Sequence, residues 1–278
     1  MIFKNLIHFL CIASILILIQ SCVPGYRAAQ SFLRKTSTIS VMVVPPPFTY
    51  LNYYPENPEL FPPETDTVYD LEESFFLKDI QVQRADSLFM EALYGKLNAL
   101  NVRVFNPDQF DVFFNQPDPK YIFTIAQSEL LEYDDIYEQR ALIDTLLYRK
   151  SFIVRTVSRN TWFEFVKVDN PDEEADMQVL YSNIATADAI DGQFRYRWMS
   201  GEVVYEYVPY LLNLNDIYEL NRWAGVQNGH YIFEFLLNRY VEQNASYRFG
   251  QPVYLKYDPY RNAIRRGNDS DRFILMEP

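Results

Sequence analysis

Histidine, cysteine and glycine are scarce in this chain, and each scarcity removes a class of chemistry. Only two histidines, His8 and His230, occur among the 278 residues. A zinc centre draws on several His or Cys ligands, so the sequence predicts no metal. A Ser-His-Asp or Cys-His arrangement would rest on His230 alone. That residue lies in an apolar helical pattern between Gly229 and Tyr231, a setting that suits a core or edge histidine. The 8 glycines form no phosphate-cradling loop. Basic charge is short as well: 25 Lys and Arg stand against 37 Asp and Glu, a net charge of −12. Such a surface repels phosphate backbones, which argues against nucleic acid as a partner. It also disfavours purely electrostatic attachment to anionic lipid. Carboxylates alone suffice for a glycosidase, and Asp134, Asp135, Glu164, Asp188 and Asp191 are the candidates. Each also reads as a solvated turn residue, Asp191-Gly192 in particular. The expectation is therefore a protein that is not an enzyme.

The N-terminus carries the most specific signal. Lys4 precedes an apolar run from Phe9 to Ile19, followed by Gln20-Ser21-Cys22. A run of about 11 residues is too short to span a bilayer core of ~30 Å. A cleaved signal fits better than a buried helix. The segment resembles the lipobox of bacterial lipoproteins in its relaxed Bacteroidota form. Ile19 stands where Leu is usual, Gln20 where a small residue is usual, and Ser21 and Cys22 match. The resemblance implies cleavage before Cys22 and covalent lipid, such as palmitate, on Cys22, with no other cofactor. It implies an outer-membrane lipoprotein of the cell envelope, held by this N-terminal anchor. No acidic residue occurs between Cys22 and Glu56. That predicts the periplasmic face, with surface exposure as the alternative. Cys11 leaves with the signal, so Cys22 has no partner for an intramolecular disulfide. A secretory signal cleaved elsewhere and an uncleaved membrane anchor are the other readings of this segment.

Downstream, the sequence predicts an α+β fold: a mixed, mainly antiparallel sheet with helices on one face. Residues 22–37 are expected to be a tether, 38–243 the domain, and 244–278 a Tyr- and Arg-rich tail. A first strand is expected at 39–44, then a long irregular loop at 45–67, rich in Pro and aromatics. A helix at 83–100 has one apolar face and stops at Asn101. Short elements are expected at 102–105 and 107–113, then strands at 120–129, 151–168 and 177–182. An acidic hairpin turn at 169–176 joins the last two; it lacks the spacing of an EF-hand. The last helix is expected at 220–242, where Gly225 and Gly229 permit close approach to a sheet or another helix.

This order resembles the periplasmic α/β lipoprotein domains of the curli secretion channel and of the peptidoglycan-synthase activators. The resemblance is architectural and carries over no residue. It implies a non-enzymatic role: binding a protein partner in envelope assembly, secretion or maintenance. Trp162, Trp198, Arg261, Arg265 and Arg266 are the candidate surface for a partner or ligand. A glycan- or small-ligand-binding lipoprotein that stacks sugars on Trp162, Trp198 and Trp223 is the alternative. A carboxylate hydrolase is the third reading.

Overall fold

The run Val157, Arg159, Thr161, Phe163, Phe165 alternates against Ser158, Asn160, Trp162 and Glu164, the period of a strand with two distinct faces. That strand lies at the centre of the molecule. The computed structural model describes residues 25–62, 69–117, 119–168, 177–245, 253–268 and 272–276. Helices and a mixed, mainly antiparallel sheet make an α+β fold. In chain order the first half holds α1 (Tyr26–Leu33), β1 (Ser40–Val44), β2 (Thr49–Tyr54), α2 (Val82–Ala99), β3 (Arg103–Phe105) and α3 (Phe110–Phe114). Next come β4 (Lys120–Ile143), β5 (Leu146–Lys167), β6 (Gln178–Ala187), β7 (Ala189–Arg197), β8 (Glu202–Tyr210) and α4 (Leu214–Asn244). The chain closes with β9 (Leu255–Asp258), β10 (Ala263–Arg266) and β11 (Ile274–Met276).

The main sheet runs β11-β6-β5-β4-β1-β3, and β2 also pairs with β4. β1 and β2 lie end to end along β4, both parallel to it: Ser40–Val44 beside Lys120–Thr124, Thr49–Tyr54 beside Ser128–Tyr133. Pro45-Pro46-Pro47 falls in the gap between them, where a ladder could not use prolines. At the same level β4 has a bulge between Ile125 and Gln127. β7 and β8 form a separate hairpin, and so do β9 and β10.

The helices α1, α2 and α4 bury one face of the sheet. Phe89, Leu93 and Leu97 of α2 recur at helical spacing and are fully buried against Val41, Val43, Phe163 and Ile232. Each such side chain contributes ~1.5–3 kcal/mol by leaving water. α2 and α4 meet closely. A Cβ at Gly225 would lie 2.1 Å from the Phe89 carbonyl oxygen, and one at Gly229 3.0 Å from that of Leu93. Glycine at both positions is what lets the backbones touch. The short α3 packs on the other face, where Phe113 meets Met42 and Phe105. Asn101, with φ 59, ends α2 in the left-handed region that Asn tolerates.

Several boundaries differ from the sequence reading. The expected tether contains α1, whose Ala29 and Phe32 are core residues; Phe32 packs edge-on to Phe233 at 5.4 Å. The expected loop contains β2, whose Tyr-rich sequence pairs with β4 despite the nearby prolines. The expected tail is part of the domain: Leu255 and Phe273 are buried, and β11 extends the main sheet. Asp191-Gly192 is not a turn; it lies within β7, where the Tyr205 ring covers Gly192 so closely that a Cβ would clash. α4 begins at Leu214, before the apolar repeat, because Asn213 and Asp216 form a capping box there. The acidic turn at 169–176 lies outside the described residues.

Candidate interaction surface

β4 and β5 outrun the sheet. β2 stops beside Tyr133 and β6 stops opposite Thr156, yet the β4–β5 ladder continues to Ile143↔Leu146. About ten further residues on each strand form a ribbon some 34 Å long, at ~3.4 Å per residue. Asp144 and Thr145 close it in a two-residue turn, with φ 47 and 72.

The β7–β8 hairpin lies on this ribbon. Phe152 of β5 meets Tyr207 at 4.7 Å and Tyr205 at 5.6 Å, and Tyr148 meets Phe194 at 6.1 Å. The Phe–Tyr pairs thus read outward along both hairpins, and both turns point away from the sheet. Together they make a projecting arm. Its root is fixed by one carboxylate. Asp188, between β6 and β7, accepts from the backbone N–H of Arg155 at 3.0 Å and of Leu212 at 2.7 Å. Its own N–H donates to the Arg155 carbonyl at 2.8 Å. Both ends of the second hairpin are therefore tied to β5 by Asp188.

The arm's end is apolar and exposed. Trp198 is 90% exposed, Leu142 73% and Leu146 61%; Met199 and Leu147 are exposed beside them. Tyr196 stands edge-on to Trp198 at 5.7 Å. Behind these lie Arg140, paired with Glu138, and Arg195 and Arg197, both paired with Glu206 at 3.3 and 3.6 Å. Asp144 and Glu202 lie at the turns themselves. Trp, Tyr, Met and Arg are the residue types enriched at protein interfaces. Exposed apolar clusters of this kind are a common feature of protein contact sites.

The other polar clusters hold the fold. Arg159 is fully buried between the sheet and the helices. It donates to Asp86 at 2.9 Å, to Ser128 Oγ at 2.8 Å and to Asn221 Oδ1 at 2.6 Å, and lies over the Phe89 ring at 4.1 Å. Burial pulls its pKa down, and the Asp86 carboxylate beside it opposes that. Glu132, also fully buried, accepts from the backbone N–H groups of Phe75, Phe76 and Leu77 and pins that segment to the sheet. On the open face Glu129 accepts from Asn52 and from Asn160 at 2.8 Å, and Asn160 Oδ1 accepts from Tyr181 and Asn183.

The candidate site residues separate in space. Trp198 lies at the arm's end. Trp162 is half-buried on the open face against Tyr181, with ring centres 4.9 Å apart. Trp223 is exposed on α4. The three do not share one stacking platform. Arg261, Arg265 and Arg266 lie on the β9–β10 hairpin, exposed, with Arg261 4.0 Å from Asp258. Among the carboxylates, Asp134 pairs with Arg155 at 3.2 Å and Asp135 accepts from Asn57 at 3.2 Å. Asp191 lies in β7, and Glu164 beside Thr124 on the sheet. Cys22 and the motif residues Ile19, Gln20 and Ser21 lie outside the described residues. His230 bonds Glu234 at 2.9 Å within α4. Among the described residues no group of three or more His, Cys, Asp and Glu could hold a metal ion, and no helix is long and apolar enough to cross a membrane. No known protein-family model matches the chain, and no curated protein matches it in sequence.

Sequence reasoning missed the arm as a unit. It started β5 at Ser151 and ended β4 at Glu129. Beyond Glu129 the alternation of apolar and polar residues fades, because the ribbon past the sheet encloses no core. The signal that could have found it is the pair Leu142–Ile143 and Leu146–Leu147 around Asp144-Thr145, apolar residues flanking a two-residue turn.

Proposed function

We propose that this chain is a lipid-anchored lipoprotein of the outer membrane, on its periplasmic face. It is not an enzyme and acts by docking a protein partner of the envelope onto the end of the arm. The observation that carries the docking is the exposed cluster of Trp198, Met199, Leu142, Leu146 and Leu147 on two stacked hairpins. The lipobox resemblance ending at Cys22 carries the anchor.

A photo-crosslinking amino acid at Leu146, in cells carrying the otherwise native chain, tests the docking. A discrete adduct with another envelope protein is expected. It should fall about thirtyfold in Trp198→Ser/Met199→Ser, the equivalent of ~2 kcal/mol for a central aromatic anchor. Trp223→Ser should leave it unchanged. An adduct that survives the double substitution contradicts docking at the arm. Cys22→Ala should abolish palmitate labelling and leave the chain unprocessed or released from the membrane; persistent labelling contradicts the anchor.

A further inference from the structure

The net charge of −12 conceals an opposite end. The segment of residues 25–39 carries Arg27, Arg34 and Lys35 and no acidic residue. α1, within it, lies against the β9–β10 hairpin: Tyr26, Gln30, Leu33 and Arg34 line one hollow with Asn262 and Ile264. That hairpin adds Arg261, Arg265 and Arg266, against the one acid Asp258. All six of these cations are exposed. Lys35 donates to Tyr240 at 3.3 Å and Arg261 faces Asp258 at 4.0 Å. Arg27, Arg34, Arg265 and Arg266 make no ion pair among the described residues.

Two geometric facts give this cationic face a direction. Only three peptide units, about 11 Å at most, separate the α-carbons of Cys22 and Gly25. And α1 sits at the end of the molecule away from the arm. It packs on Phe233 and Tyr240, late in α4. α4 runs along β5 away from the arm: Asn221 meets Arg159, and Arg239 lies over Phe165 at 5.0 Å. From Phe165 to the turn at Thr145 is roughly 60 Å along β5, at about 3.3 Å per residue with some loss to twist.

We infer that the face formed by α1 and β9–β10 is a membrane-contact face. Arg27, Arg34, Lys35, Arg261, Arg265 and Arg266 meet the phosphate groups of anionic lipid beside the acylated Cys22. The acidic remainder of the chain is repelled by the same surface. The molecule therefore stands on its cationic end and holds the arm roughly 60 Å away from the bilayer that anchors it. Carboxylates at the turns, Asp144 and Glu202, fit this: they would resist burial of the arm's end in lipid. This inference rests on the reading of Cys22 as the lipid-bearing residue.

The test uses residues 23–278 without acyl groups, whose ordered core begins in α1, so that the cationic face is read apart from the lipid. Vesicles of equal phosphatidylglycerol and phosphatidylethanolamine should sediment this chain at low salt. Pure phosphatidylcholine should bind it at least about tenfold less, and so should the charge-reversed chain Arg261→Glu/Arg265→Glu/Arg266→Glu with the anionic vesicles. Circular dichroism of that variant should match the native chain. Equal binding of the variant, or none by the native chain, overturns the inference. In a second measurement the acylated full chain in nanodiscs carries a dye at Ser200→Cys or Arg27→Cys. Headgroup quenchers should dim the Arg27→Cys dye and spare the Ser200→Cys dye. Strong quenching at position 200 overturns the orientation. Failure of the anchor reading itself is seen separately, as palmitate labelling that persists in Cys22→Ala.

Discussion

Tyr254 shows how single groups tie the last segment to the domain. Its hydroxyl donates to Glu234 at 3.5 Å, and the Glu234 carboxylate also accepts from the Tyr257 N–H at 3.1 Å. Asn238 adds a reciprocal pair to the Leu255 backbone, both bonds 2.8 Å. Burial, and then the Glu234 charge, raise the Tyr254 pKa well above its ordinary 10.0. The neutral phenol is thus favoured in the fold and the ionised form in the unfolded chain. Its stabilisation is complete below pH ~10 and is lost as pH rises further towards the folded-state pKa. Tyr133 and Tyr181, raised chiefly by burial, act in the same sense. We expect urea midpoints to be flat from neutral pH to about 9 and to fall above 10. Tyr254→Phe should lessen that fall; an unchanged slope would remove Tyr254 from the account.

Among the elements, the α2–α4 pair depends on two glycines. Gly225→Ala would force its methyl onto the Phe89 carbonyl and part the helices. Overpacking of this kind costs ~1–3 kcal/mol, and backbone as the obstacle places this site at the upper end. The thermal midpoint should drop by several degrees, while Gly95→Ala in α2, with open space around it, should do no harm. This contact was legible in the sequence, since Gly225 and Gly229 interrupt an apolar helical face one turn apart. So were α2, β1 and the buried stretch of β5, where periodicity and burial agree. α1 was not legible: eight residues with Arg27, Arg34 and Lys35 nearby look solvated until α4 supplies Phe233 and Tyr240 to cover Phe32. β2 was hidden because its pairing partner, Ser128–Tyr133, is remote in sequence. Of the candidate site, Trp198 was singled out from its residue type; its place on a ribbon end depended on the non-local stacking of Phe152 on Tyr207.

At the scale of the whole molecule, Asp188 decides whether the two hairpins act as one arm. Asp188→Ala leaves the Arg155 and Leu212 N–H groups without their carboxylate. Charge-assisted bonds of this type contribute ~1.5–3 kcal/mol each, in part recovered by water at this half-buried root. Amide exchange in β7 and β8 should accelerate far more than in α2, and the Leu146 adduct should weaken although Trp198 is intact. Uniform acceleration would mean that Asp188 supports the domain as a whole rather than the arm.

β4 and β5 pass from the core to the distal turn without a break, and this has a mechanical consequence. Tension applied at the turn travels down two covalent strands into the sheet. There β4 is gripped by β1 and β2 and β5 by β6, with their ladders lying along the line of pull. Such a load slides strands past one another and strains many hydrogen bonds together, instead of peeling them open singly. On the anchoring and docking proposed above, a tug between the N-terminal end and a partner at Trp198 would run along that axis, and the strand layout would resist it in shear.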